Sequence, residues 1–245
     1  SESNLALERF AYSASHDLQE PLRKISAFSG ALDKRLKETN PDPEILFQLD
    51  RITDASIRMG KMVDNLLKLS RASSSSLSIR PVSLSSMLIQ ALDDLSAKLA
   101  CIDISVNLKK DVLIAVDPNA FGQVLRNLIS NSIVYGNTEK KIIINISWKS
   151  FEKHISITYE DNGCGISAEK LEAIFEPFRR LVGKNIPGTG MGLTICRQVM
   201  KAHKGRIFAV TNDKREAQGA VFILELPKLS ILKQDLEDNF SYFLL

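Results

Sequence analysis

The 245-residue chain is poor in several features, and each shortage narrows what it does. Its three cysteines, Cys101, Cys164 and Cys196, lie far apart with no CxxC pair, which argues against zinc and suits a reducing compartment. No apolar run approaches the roughly 18 to 20 residues needed to cross a bilayer, so no membrane contact is expected within this segment. Charge of one sign is scarce too: 32 Lys and Arg against 29 Asp and Glu leave a net charge of +3. With no basic block carrying interleaved aromatics, nucleic acid is not an expected partner. Internal repeats are absent. The opening Ser1-Glu2-Ser3 has neither an initiator Met nor a signal-peptide pattern, and reads as the start of an excised segment. Two glycine clusters, Asp161-Asn162-Gly163-Cys164-Gly165 and Gly188-Thr189-Gly190-Met191-Gly192, fit neither the Walker loop nor the Rossmann fingerprint.

The first seventy residues carry helical periodicity. Ala14, Leu18, Pro21, Ile25, Phe28, Leu32 and Leu36 step by threes and fours along one helix. A second helix follows Pro41-Asp42-Pro43, with Asp42 as cap and Pro43 in the first turn. Its seam of Ile45, Leu49, Ile52, Ser56, Met59, Val63, Leu66 and Ser70 alternates by four and three, a heptad pattern that expects a partner helix. Two helices alone bury too little, so a second copy of the hairpin, giving a dimeric four-helix bundle, is the expected remedy. The expected domains are a hairpin over 1–72, a linker over 73–80 that includes the polar run Ser73–Ser76, and a second domain over 81–227. A tail over 228–245 has amphipathic spacing.

Beyond Pro81 the pattern changes. A helix through Leu84, Leu88, Leu92 and Leu95 precedes strands at Ile102–Leu108 and Val112–Val116. Asp117-Pro118 then caps a helix carrying Phe121, Leu125, Leu128 and Ser132. Further strands are expected at Ile142–Trp148, Ile155–Glu160, Gly205–Thr211 and Ala220–Leu226, with helices near Ala168–Ile174 and Met191–Ala202. This mixture predicts a two-layer α/β sandwich with a mixed sheet.

Four constellations carry potential chemistry. His16 lies near 200° from Ala14 on the helical wheel, away from the apolar seam, with Glu20 and Arg23 on its own face. Alone it reads as a solvated surface histidine. The alternative is a nucleophile whose other ring proton is held by neighbouring Asp17. Asn127 and Asn131 share a helix face where Asn is disfavoured, so they are either polar surface positions or amide oxygens for a Mg²⁺ that keeps water and phosphate ligands. Asp161 precedes a glycine turn. That is a good turn sequence, or a carboxylate placed to accept from the exocyclic amine of a flat base. Gly188 to Gly192 opens a helix, whose free N–H groups form a natural phosphate cradle. His154 and His203 read as surface residues, Cys101 and Cys196 as core.

In this order the residues resemble the sensor histidine kinases of two-component systems. Ser15-His16-Asp17-Leu18-Gln19-Glu20-Pro21-Leu22 looks like their phosphoacceptor box, in wording closest to the phytochrome-like kinases. Asn127 to Asn131 resembles the N box, Asp161 to Gly165 the first glycine box, and Phe175-Glu176-Pro177-Phe178 the F box. Gly188 to Leu193 resembles the second glycine box, and Gly219-Ala220-Val221-Phe222 a degenerate third. The resemblance implies a dimerisation and phosphoacceptor hairpin joined to a Bergerat-type (GHKL) ATP-binding domain. On that carry-over His16 receives the γ-phosphoryl group of ATP with Asp17 as acid/base partner, and Asn131 holds Mg²⁺ with Asn127 near the phosphates. Asp161 takes the adenine amine, Tyr135 packs near base or sugar, and Gly163 and Gly165 border the base. Gly188, Thr189, Gly190, Gly192 and Leu193 line the phosphates, and Arg180 or Lys184, in a lid from about Arg179 to Pro187, reaches the γ-phosphate. The implied partners are a second copy of the chain, the receiver domain of a response regulator, and an upstream sensor domain outside this segment. The implied location is cytoplasmic, with any membrane anchor upstream.

Two positions depart from the family's pattern. Val134 stands where a phosphate-contacting Lys often follows the N box, and Glu20 where many members carry Thr or Asn. The first points to low turnover, the second to weak phosphatase activity or to phosphatase activity by another arrangement. A nucleotide-binding scaffold that docks a regulator without catalysis is the alternative reading.

Overall fold

The computed structural model describes residues 2–37, 39, 42–74, 77–96, 102–136, 141–179, 189–211 and 219–228. The chain divides into two compact units, Ser1–Ser74 and Ser75–Leu245.

The first unit is a helical hairpin of α1 (Glu2–Lys37) and α2 (Pro43–Ser74). Asp42 starts α2 by accepting the Glu44 N–H through Oδ1 at 2.9 Å, and Pro43 occupies the first turn, where its missing N–H costs nothing. The helices run antiparallel, because Gln19 Nε2 donates to Asp64 Oδ1 at 2.7 Å while Ser26 Oγ meets Ser56 Oγ at 2.9 Å nearer the turn. Ser56 in turn donates to the Leu22 carbonyl at 3.0 Å. Pro21 sits inside α1 and, lacking an N–H, leaves the carbonyl of Asp17 without its usual helical donor.

The seam within the hairpin is not the apolar stripe that the α1 periodicity suggests. Leu22 and Ser29 are buried in α1, and Leu49, Ser56 and Val63 in α2. Leu18, Ile25, Leu32 and especially Phe28, at 74% exposed, face outward, as do Ile45, Ile52 and Met59. Each helix thus carries two stripes of seven-residue period. One is satisfied inside the chain, and the more apolar one is open.

Helix α2 continues through Ser74, into the run expected to be linker, and Arg80 already belongs to a strand. The second unit holds β1 (Arg80–Ser83), α3 (Leu84–Asp93), β2 (Ile104–Leu108), β3 (Leu113–Val116), α4 (Pro118–Val134), β4 (Ile142–Ser150) and β5 (His154–Asp161). After them come α5 (Gly192–Ala202), β6 (Arg206–Val210) and β7 (Val221–Pro227). The main sheet has the order β2-β4-β5-β7-β6, with β2 parallel to β4 and every other pair antiparallel. β1 and β3 form a separate antiparallel pair. Strand alternation builds the core: Ile142, Ile144 and Ile146 of β4 point inward, as do Ile155, Ile157, Tyr159 and Asp161 of β5. The apolar stripes of α3, α4 and α5 supply the other layer, with Leu84, Phe121, Leu128, Met200 and Cys196 fully buried.

Two expectations need correction. The segment near Ala168–Ile174 is not an α-helix but two single 3₁₀ turns, Ala168–Lys170 and Ala173–Phe175, closed by i to i+3 bonds such as Phe175 N to Glu172 O at 3.2 Å. Phe175 is pulled into the core edge-on to Phe222 and covered by the Arg197 guanidinium 4.1 Å from its ring centre, which breaks the helical path. His203 is not a surface residue. It is 3% exposed at the C-terminus of α5, accepts the Asp117 N–H through Nε2 at 2.9 Å and donates from Nδ1 to the Val199 carbonyl at 2.8 Å. His154 is half-buried, stacked on Phe151.

Candidate nucleotide site

Helix α4 is the organiser of the second unit. Asp117 caps it by accepting the N–H groups of Asn119 and Ala120 through Oδ1, both at 3.0 Å, and Pro118 fills the first turn. Its Oδ2 accepts the Ser78 N–H at 2.9 Å. Burial pushes the Asp117 carboxyl upward, but the N–H groups of Ala120, Ser78 and Asn119 outweigh it and hold the pKa below the ordinary value.

At the helix middle, Asn127 donates through Nδ2 to the Gly192 carbonyl at 3.0 Å and approaches Cys196 Sγ at 3.7 Å. This bond ties the N box to the first turn of α5. That turn contains Gly192 and half-buried Leu193, follows Thr189 and Gly190, and holds no acidic side chain, so its free N–H groups keep their affinity for an anion. Cys196 is buried below it, and burial pushes its thiol up to about 12. Asn131, half-buried, makes no side-chain hydrogen bond among the described residues, which leaves its amide oxygen available.

At the C-terminal end of α4 the carbonyl of Tyr135 accepts the Cys164 N–H at 3.2 Å, so the first glycine turn hangs from the end of the N-box helix. Asn162 braces the turn from the other side, accepting the Ile143 N–H at 2.8 Å and donating to the Lys141 carbonyl at 2.9 Å. Cys164 is exposed.

Asp161 is the last inward residue of β5 and is 8% exposed. Its Oδ1 accepts the N–H groups of Gly163 and Ala220, each at 2.9 Å, and its Oδ2 accepts the Ser132 hydroxyl at 2.7 Å. Ser132 Oγ also lies 2.9 Å from the Tyr159 hydroxyl. Tyr159 is 1% exposed; burial, helped by the Asp161 charge, holds its phenol far above the ordinary value and therefore protonated. Gly219 lies against this carboxylate residue: a Cβ there would overlap the Asp161 carbonyl oxygen, so no side chain fits. Gly165 packs its backbone on Gly219.

Most of the expected pocket residues therefore converge. Asn127 and Asn131 lie on α4 with Tyr135 just past its end, Asp161 closes β5 ahead of Gly163 and Gly165, and Thr189 and Gly190 lead into the first turn of α5 with Gly192 and Leu193. Arg180, Lys184 and Gly188, with nearly all of the expected lid, lie outside the described residues, as does Cys101. Arg179 is described and pairs with Glu176 at 2.6 Å. His16 and Asp17 lie in α1 of the other unit. Sequence reasoning missed Ser132 and Tyr159 as site residues. The signals were present: a serine within the apolar stripe of α4, and a tyrosine two before Asp161 on an alternating strand. Among the described residues no group of three His, Cys, Asp or Glu stands close enough to hold a metal by itself.

This geometry agrees with what the chain is similar to. Residues 116–230 match the family described as histidine kinase-, DNA gyrase B-, and HSP90-like ATPase, and residues 6–75 match the His Kinase A (phospho-acceptor) domain. Cyanobacterial phytochrome B of Nostoc sp. is 34% identical over 230 residues, which is 91% of this chain and 30% of that protein. Among solved structures, full-length ShkA in complex with AMPPNP superposes with a TM-score of 0.65 at 21% identity, covering 89% of this chain and 45% of that one. The histidine kinase ThkA in complex with the response regulator protein TrrA gives 0.61 at 23% identity, covering 93% and 64%. The chain belongs to the histidine kinases, whose phosphoacceptor and ATPase domains it carries. It spans less than a third of the length of the first curated relatives it matches, at 29% and 30% of each.

Proposed function

We propose that this chain is the catalytic core of a sensor kinase that phosphorylates itself on His16 with ATP and then passes the phosphoryl group to an aspartate of a response-regulator receiver domain. The observation that carries the reading is the convergence on α4: Asn127 bonded to Gly192 on one side, Tyr135 bonded to the Asp161–Gly165 turn on the other. Three segments far apart in sequence thereby make one pocket with a carboxylate at one end and a helix N-terminus at the other. A flat base that donates an amine to Asp161 leaves its phosphates toward Gly190, Gly192 and Leu193.

In the transfer an imidazole nitrogen of His16 attacks the γ-phosphorus of ATP. The N–P bond forms as the bond from that phosphorus to the β–γ bridging oxygen breaks, and ADP leaves with the electron pair. Asp17 holds or takes the other ring proton. The chain's part is mainly positioning and charge neutralisation. The free amide oxygen of Asn131 fits a hard cation that draws its remaining ligands from phosphate and water, so Asn131 would hold Mg²⁺, which lowers the charge on the transferring group. Val134 supplies no cation, and Arg180 and Lys184 take that role. Because His16 lies in the hairpin unit and the pocket in the other, transfer requires the two to meet. The residues from Ser73 to Arg80 give the connection between the phosphoacceptor and ATP-binding domains.

The open stripes of the hairpin support a homodimer. Leu18, Ile25, Phe28 and Leu32 with Ile45, Ile52 and Met59 form a face that a second hairpin covers as a four-helix bundle. The complexes of ShkA with AMPPNP and of ThkA with the response regulator protein TrrA support the nucleotide and the regulator as ligands. A sensor domain upstream of α1 and a cytoplasmic location complete the reading. We read Glu20, exposed and paired with Lys24 at 2.7 Å, as giving weak phosphatase activity.

Incubation with Mg²⁺ and γ-labelled ATP tests the proposal. Acid-labile, alkali-stable label is expected on the wild type and is lost in His16→Gln. ATP binding with no label in the wild type would overturn the kinase and favour a scaffold that only binds nucleotide and regulator.

A further inference from the structure

The buried polar chain beneath the pocket has more order than a carboxylate alone needs. A carboxylate offers about four lone-pair positions. In Asp161 three are taken by the chain itself: Gly163 N–H and Ala220 N–H on Oδ1, and Ser132 O–H on Oδ2. One remains. The direction of the Ser132 bond is not left to chance. Ser132 has a single proton and three neighbours: Asp161 Oδ2 at 2.7 Å, Tyr159 Oη at 2.9 Å and the Leu128 carbonyl at 3.2 Å. Tyr159 is protonated and, among the described residues, has Ser132 as its hydrogen-bond partner, so the phenol donates to Ser132 Oγ. Ser132 then donates onward, and the shorter, charged acceptor at Asp161 takes that proton over the longer neutral one at Leu128.

We propose that Tyr159 and Ser132 form a one-way hydrogen-bond relay that fixes Asp161 as a pure acceptor, and so make the pocket select a purine with an exocyclic amine over one with an oxo group at the same position. The proposal rests on the reading of Asp161 as the base-binding group and adds two specificity-determining positioning residues to it. With three donors already placed on the carboxylate, the position left over is a lone pair in a fixed direction, which accepts from an amine and repels a ring carbonyl oxygen. The relay also holds Oδ2 in place, because Ser132 is part of α4 and Tyr159 belongs to the core of β5 beside Phe222. A Ser132→Ala change alone would strand the buried phenol. Paired with Tyr159→Phe it removes the relay and leaves no unsatisfied hydroxyl.

The test compares binding of ATP and ITP, which carries an oxo group in place of the amine, to the full chain and its variants. The wild type is expected to favour ATP at least tenfold. In the Ser132→Ala/Tyr159→Phe double variant the ATP:ITP ratio falls by roughly tenfold, the order expected for loss of one hydrogen bond to a charged group. Tyr159→Phe alone lowers it less. If the double variant does not fold, Ser132→Cys, of similar volume with a weak donor, is expected to lower the same ratio. A purely structural role lowers affinity for both nucleotides alike, so an unchanged ratio in the folded variants overturns the relay while leaving the ATP site intact. A wild type that binds neither nucleotide, or both equally, overturns the base-binding reading of Asp161 and the relay together.

Discussion

His203 Nε2 accepts the backbone N–H of Asp117 at 2.9 Å, so an imidazole at the end of one helix holds the cap of another. To accept there, the ring must be neutral at Nε2. Burial, partly offset by the Val199 carbonyl and the Asp117 charge, keeps its pKa below the ordinary value of about 6.5. The folded state therefore binds fewer protons than the unfolded state between the lowered value and about 6.5. Stability contributed by His203 is complete above that window and is lost as pH falls through it. Thermal melting from pH 8 to pH 5 should show a decline setting in below about 6.5 that is reduced in His203→Phe; an identical decline in the variant would refute the assignment.

The cap itself carries weight. Asp117→Ala removes the acceptor of Asn119, Ala120 and Ser78 and should lower unfolding stability by about 1 to 2 kcal/mol, measured by urea titration. Asp117→Asn, which keeps an oxygen, should lose less.

The outward stripes of the hairpin predict a concentration-dependent assembly. Ile52→Lys places a charge on the open face of α2, twice in a dimer, while leaving the Leu49–Ser56–Val63 seam untouched. Burial of one such aliphatic side chain is worth roughly 1.5 to 3 kcal/mol, so dimer affinity should fall by at least a hundredfold in sedimentation analysis. Ile57, also exposed but off the Ile45–Ile52–Met59 stripe, is the comparison site.

The cysteines divide by environment. Cys164 should be alkylated readily, since it is exposed on the glycine turn, whereas Cys196, buried and with its thiol pushed up to about 12, should react only after unfolding. Saturating ATP should slow labelling of Cys164. Mass spectrometry of the alkylated peptides reads both effects, and unprotected Cys164 at saturation would count against its place beside the base.

Much of the fold was legible because local rules and tertiary packing agree. Asp117-Pro118 announces α4, the Phe121–Leu125–Leu128–Ser132 stripe gives its buried face, and the alternating β-branched runs mark β4 and β5. The hairpin was legible as helices but not as to which stripe faces inward. Two seven-residue patterns lie on each helix, and only packing shows that the less apolar one, where Ser29 and Ser56 stand among Leu22, Leu49 and Val63, faces inward. The residues near Ala168 read as helix because propensity is local, while burial of Phe175 against Phe222 is not. His203 was misjudged by residue type. It follows Val199 by four and Met200 by three, the apolar side of α5, and that spacing outweighs the usual exposure of a histidine. The parallel pairing of β2 with β4 spans the whole of α4, a separation that no strand pattern encodes.

Phe178 and Gly190 both have positive φ, 62° and 70°, and a Cβ on Gly190 would stand 2.8 Å from the Phe178 carbonyl carbon. The backbone before residue 180 and the backbone after residue 188 are thus pressed together, with glycine required at the contact. A segment whose two ends are already joined has met its closure cost within the folded body. Doubling such a segment's length adds only about 0.6 kcal/mol. A change in the number of residues joining Phe178 to Gly190 should therefore cost the sheet and α5 little, whereas any side chain at Gly190 would force the two backbones apart.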